Sequence, residues 1–133
     1  MSESLESRVR QRAKNRCEYC KIPTYLSDFT FPLNHIISQQ HRGETTYENL
    51  ALSCMHDNFH KGPNIAGLDP RTGRLTRLFN PRRQRWNSHF AWDGPMLAGK
   101  TAIGRTTLYV LNMNHPDRVE VRRLLIAAAR FPQ

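Results

Sequence analysis

No stretch of this 133-residue chain approaches the roughly 20 consecutive apolar residues that a membrane-spanning helix needs. The first residues, MSESLESRVRQR, lack the apolar segment of a secretory signal, so export is not expected. Cysteine is scarce too. There are three, an odd number with two spaced as Cys17-x-x-Cys20, which does not build a disulfide framework. These absences point to a cytoplasmic protein, away from any membrane, whose thiols serve a metal. Internal repeats, low-complexity tracts and long linkers are also missing, so 1–133 reads as a single domain.

Acid is missing from one long stretch. Between Asp69 and Asp93 there is no Asp or Glu, while Arg71, Arg74, Arg77, Arg82, Arg83 and Arg85 all fall there. The chain holds 20 Lys+Arg against 11 Asp+Glu, a net charge of +9 and a pI of about 10.2. Sixteen of the 20 cations are arginine, whose planar fork matches phosphate oxygens in a way that lysine does not. A clustered cationic surface of this kind fits a nucleic-acid backbone, and Arg71, Arg82, Arg83 and Arg85 are its expected contacts. The plainer alternative is a solvated face that only keeps the protein soluble. Hydrophobic residues still make up 38% and aromatics 9%, enough for a folded core.

What is present reads in order as an α+β chain. Leu5, Val9 and Ala13 form an i, i+4 stripe with Glu3 and Glu6 in the first turn, which predicts a helix over 3–16. Its other face carries Arg8, Arg10, Arg12, Lys14 and Arg16. RCEYCKIP forms a knuckle-like turn, and Phe29 to Ile37 a strand that Pro32 confines to an edge or a bulge. A polar loop follows, then a second strand over 49–54 and a short helix in MHDNFHKG that Gly62 closes. The order is β–loop–β–α. Farther on, LDPRTGRL predicts a hairpin and NPRRQRWNSHFAWDG a basic, aromatic-rich segment. Ile103 to Leu111 and Pro116 to Phe131 read as helices.

Cys17-x-x-Cys20 and Cys54-x-x-Asp57 are two short arms with 33 residues between Cys20 and Cys54. Such arms can close a tetrahedral site for structural Zn²⁺ and tie the first helix to the second strand. Asp57 is an uncommon zinc ligand, His56 is its rival, and three buried thiols without metal are the other outcome.

The remaining polar residues, His35, Asn49, Asn58 and His60, complete a pattern. RCEYC, NHII, HRGETTYENLALSC and NFHKG, in this order and spacing, resemble the HNH (ββα-metal) endonuclease family. The motif covers about 13–62; LDPRTGRLTRLFNPRRQRWNSHFAWDG is similar to the extension of one bacterial HNH subgroup, and the basic C-terminal extension as a whole, 63–133, is expected to pack on the core. The resemblance implies hydrolysis of phosphodiester bonds, with DNA as partner and RNA left open. It makes His35 the general base, Asn49 the residue whose side-chain or backbone carbonyl holds that imidazole, and Asn58, nine residues on, a ligand of a divalent ion such as Mg²⁺ or Mn²⁺. Asn34 stands where the family has Asp before the base. It would be the second metal ligand without the charge, with His60 in reserve and Lys61 a phosphate contact. Each residue has a plainer role available. His35 could be a satisfied core histidine, Asn49 a loop cap, Asn58 the cap of a short helix, and His56 and His60 helical neighbours by accident. His41, His89 and His115 read as surface residues. Two readings follow: a metal-dependent DNA endonuclease, or a zinc-knuckle nucleic-acid-binding protein that has lost catalysis. They divide on whether Asn34, Asn58 and His60 hold a divalent ion.

Overall fold

A computed structural model describes residues 3–132. The chain mixes helices with small antiparallel sheets, an α+β arrangement, in two compact units: Met1–Ile65 with Asn80–Gln84, and Ala66–Phe79 with Arg85–Gln133.

In the first unit, α1 spans Leu5–Arg12 and is capped by the Ser4 side chain, which accepts from Ser7 N at 3.1 Å. It is shorter than its apolar stripe predicts because Lys14 and Asn15 both turn to positive φ. Strand β1 (Leu33–His35) pairs antiparallel with β2 (Leu50–Leu52), placing Asn34 opposite Ala51 and His35 opposite Leu50. Both strands are three residues long, shorter than expected. Pro32 precedes β1, where its missing N–H costs nothing, and its carbonyl still accepts from Ser53 N at 3.1 Å. All three residues of β2 are buried and join Val9, Ile22, Phe31 and Ile36 in the core. Helix α2 (Met55–Lys61) follows directly, and Gly62 ends it with φ 51°.

Arginines hold this unit together. Arg10 donates to Phe31 O at 2.9 Å, Arg12 to Tyr47 O at 2.7 Å and Leu50 O at 2.5 Å, and Arg16 to Lys21 O at 3.2 Å. The basic face of α1 is therefore largely turned onto main-chain carbonyls. Arg82, expected as a phosphate contact, is also diverted. It pairs with Glu18, whose other oxygen accepts from Leu52 N at 2.8 Å. Glu18 is 8% exposed, and an arginine is the partner its carboxylate needs there.

The second unit opens with the predicted hairpin, β3 (Ala66–Leu68) against β4 (Leu75–Arg77), turned at Gly73. A short helix, α3 (Trp86–His89), leads into β5 (Phe90–Asp93) and β6 (Met96–Gly99), a second hairpin turned at Gly94 inside what reads in sequence as a basic aromatic segment. Helices α4 (Ala102–Val110) and α5 (Pro116–Ala127) complete it. Its core is aromatic: Phe79 meets Phe90 edge-on with ring centres 5.4 Å apart, and Trp92 meets Phe131 at 4.8 Å. Asp69 is buried and held by the fork of Arg105 at 3.1 and 2.8 Å, which fastens the first hairpin to α4.

Candidate active site and metal cluster

The two short arms converge in the first unit. The Cys17, Cys20 and Cys54 sulfurs and an Asp57 oxygen all lie within 4.8 Å of one another, fully buried, a cluster that could hold a metal ion. Asp57, and not its rival His56, is the fourth member. Each arm is shaped by its own backbone: Cys20 N points at the Cys17 sulfur at 3.5 Å, and Asp57 N at the Cys54 sulfur at 3.4 Å. Burial by itself would raise the Cys17 thiol, but hydrogen bonds from Cys20 and Cys54 outweigh it and hold Cys17 well below the usual thiol range. Cys20 is held well above that range, by burial first and then by its thiol neighbours. Cys54 is held up first by its bond to Cys17. Four potential anions in so small a space ionise together only around a cation.

Tyr19 leads out of the cluster. It sits between the two cysteines of the first arm, 1% exposed, and its hydroxyl donates to Asn34 Oδ1 at 3.2 Å. Asn34 is buried as well, and its Nδ2 donates to Asn58 Oδ1 at 3.0 Å. The structure thus brings Asn34 and Asn58, 24 residues apart, into direct contact. It also orients them: Asn34 faces its neighbour with an NH₂ group, and its oxygen is taken by Tyr19.

His35, next along β1, is half-buried. Its Nε2 lies 2.9 Å from Thr45 Oγ1. Asn49, expected to hold this imidazole, does so only indirectly. Its Oδ1 accepts from Ile37 N at 2.9 Å, its Nδ2 donates to Ile37 O at 2.9 Å and Glu44 O at 2.8 Å, and its own carbonyl accepts from Ile36 N at 2.8 Å. It fixes the loop that carries Thr45, and Thr45 meets the ring. Gly43 makes that clasp possible, because a Cβ there would fall 1.7 Å from Ile37 O and 2.9 Å from Asn49 Nδ2. Thr45 has no motif signal of its own; only the loop geometry reveals it.

Lys61 departs from its expected place at the phosphate. It is 1% exposed, and its Nζ donates inward to His35 O at 3.0 Å. Burial lowers its pKa to about 8. Six residues after Met55, the last turn of α2 carries this position beneath β1 rather than to solvent. His60, on the same turn, sets Nδ1 against His56 O at 2.8 Å, with the two rings 4.2 Å apart. Its Nε2 remains available among the described residues. Arg83 and Arg85 are exposed with no side-chain partner among the described residues, and so is Arg71.

Comparison with known proteins meets this geometry. The HNH endonuclease family model matches residues 17–64, the segment that holds the four-ligand cluster, β1, β2 and α2. A relative, the Septu protein PtuB of Bacillus thuringiensis, is 26% identical over 123 residues, covering 87% of this chain and 43% of that protein. The chain thus spans under half the length of the relative it matches. No solved structure matches. With cluster, strand pair and helix all inside the matched segment, residues 17–64 are a domain of the HNH endonuclease family.

Proposed function

We propose that this chain is a metal-dependent endonuclease that hydrolyses phosphodiester bonds of DNA, with β1, β2 and α2 as a ββα-metal core. The observation that carries the reading is the Asn34–Asn58 contact, which joins the strand bearing His35 to the helix bearing the distal amide. With Nε2 held by Thr45, the other ring nitrogen of His35 is left to take a proton from the attacking water. Asn49 acts as a positioning residue through the Thr45 loop, and Lys61 steadies the same histidine from its carbonyl side. Asn58 and His60 would hold a divalent ion such as Mg²⁺ or Mn²⁺ beside Asn34. That ion would stabilise charge on the phosphate and on the leaving 3′ oxygen. Both donors are neutral, so the substrate phosphate supplies the anionic oxygen that a hard cation prefers.

The buried cluster would hold structural Zn²⁺. A tetrahedron with Zn–S of about 2.3 Å has an S···S edge of about 3.8 Å, and the Cys20 and Cys54 sulfurs stand 3.7 Å apart. All four positions are protein ligands, which leaves none open for substrate.

The neutral donor set also favours a second reading, a binding protein without catalysis. Supercoiled plasmid incubated with Mg²⁺, Mn²⁺ or Ni²⁺, with and without chelator, separates the two. Nicking should require the ion and should fall by about 10² to 10⁴ in His35→Ala, with DNA binding retained. Wild-type rates in His35→Ala would remove the base assignment. A wild-type protein that binds duplex and nicks nothing with any ion would leave the binding reading standing.

A further inference from the structure

Three of the exposed arginines with no side-chain partner among the described residues lie together on one element. On the β3–β4 hairpin, Gly67 and Asp69 face α4: a Cβ on Gly67 would lie 2.6 Å from Val110, and Asp69 is held by Arg105. The opposite face carries Leu68 and Leu75, which are cross-strand partners, and Arg77 opposite Ala66. Leu68 is 61% exposed and Leu75 78%. Arg71 and Arg74 extend from the turn. Arg71, Arg74 and Arg77 are exposed and have no side-chain partner among the described residues. The hairpin's one acid, Asp69, is buried and already neutralised, so its outer surface carries positive charge and two leucines with no opposing charge.

We propose that the β3–β4 hairpin docks as a two-stranded ribbon in the major groove of duplex DNA. This rests on the nuclease reading and names the element that grips the substrate. Charge selects the partner, because three unpaired guanidiniums need phosphates on either side. Size selects the groove. Paired strands stand about 4.8 Å apart, and with side chains a ribbon fills the roughly 12 Å major groove but not the roughly 6 Å minor groove. The leucine pair then meets thymine methyls and sugar faces instead of water, which explains two large apolar side chains on a cationic surface. Asp69 and Arg105 hold the turn rigid, so little order has to be gained on binding.

The test uses the full chain and a labelled duplex, with anisotropy read across a salt series. Arg74→Ala/Arg77→Ala should flatten the slope of log K against log salt by about 1.8, at about 0.9 per phosphate contact. Leu75→Ala should weaken binding several-fold at every salt concentration with the slope unchanged. Arg82→Ala is the control: it should lower the melting temperature through loss of its Glu18 pairing and leave the slope alone. Methyl green, a major-groove ligand, should inhibit the wild type and barely affect the double variant. A double variant with wild-type slope, a Leu75→Ala protein with wild-type affinity, or equal inhibition of both proteins by methyl green would overturn the docking. In each of those cases the wild type still binds DNA. A wild type that binds no duplex would overturn the nuclease reading itself.

Discussion

Tyr19→Phe removes one oxygen from a side chain that is 1% exposed and leaves its shape almost unchanged. The loss falls on Asn34, whose Oδ1 accepts the Tyr19 hydroxyl at 3.2 Å in a position 5% exposed. A buried acceptor left without its donor costs about 1–3 kcal/mol. For a chain of this size that corresponds to roughly 3–12 °C in melting temperature, readable by calorimetry. Stability alone would not identify the bond, so the measurement is a double-mutant cycle with Asn34→Ala. If the two groups interact as described, the combined loss should fall short of the sum by about 0.5–3 kcal/mol. Nicking should fall in parallel, because the Asn34 amide is then free to turn and its hold on Asn58 weakens. The rate should still exceed that of His35→Ala, since base and water remain. Additive losses, within about 0.3–0.5 kcal/mol, would refute the link between the four-ligand cluster and the site.

Further outcomes follow from other parts of the molecule. Asn34→Asp keeps an acceptor for Tyr19 but replaces the Nδ2 donor to Asn58 Oδ1 with an anionic oxygen, so without metal the variant should melt below wild type, and Mn²⁺ bridging the two oxygens should restore both melting temperature and nicking; a loss that no divalent ion restores would speak against an ion between Asn34 and Asn58. Purified protein should carry about one zinc per chain by elemental analysis, and Cys17→Ser should lose it together with much of its thermal stability; metal-free protein that melts like the mutant's parent would favour bare thiols. Asp69 is held below the usual carboxylate range, chiefly by Arg105. Its contribution is therefore present above about pH 3.9 and is lost as pH falls below that value. Asp69→Asn should be less stable at neutral pH and show a shallower acid decline, whereas parallel acid limbs would place the proton uptake elsewhere.

The readable parts of this chain were those whose cause is local. Gly62 after MHDNFHK ends α2, the Asp-Pro…Thr-Gly turn makes the first hairpin, and the spacing of Cys17, Cys20, Cys54 and Asp57 foretells their convergence. Strands of three residues are too short for an alternating pattern to mark their ends, so the sequence locates β1 and β2 but not their limits. The β5–β6 hairpin was hidden because its strands, FAWD and MLAG, pack apolar residues in runs rather than in alternation. Arginine function was the least legible. A guanidinium looks the same in sequence whether it meets solvent or a carbonyl, and the acceptors of Arg12 lie 35 and 38 residues away. Lys61 and Arg82 follow the same rule: motif position and charge suggest phosphate, while the fold supplies His35 O and Glu18.

The buried amine of Lys61 gives the protein an internal reporter. Once exposed, a lysine amine is acylated through its neutral fraction, which grows as pH rises toward its ordinary pKa of about 10.4. In the closed fold it is sealed against the carbonyl of His35 and should resist labelling, while Lys14, at an exposed turn, reacts at once. When α2 swings away from β1 the amine meets solvent, so the rate at which Lys61 is acylated measures how often the histidine strand and the ligand helix part company. Mass spectrometry of a single peptide would then follow the breathing of this core, without substrate and without turnover.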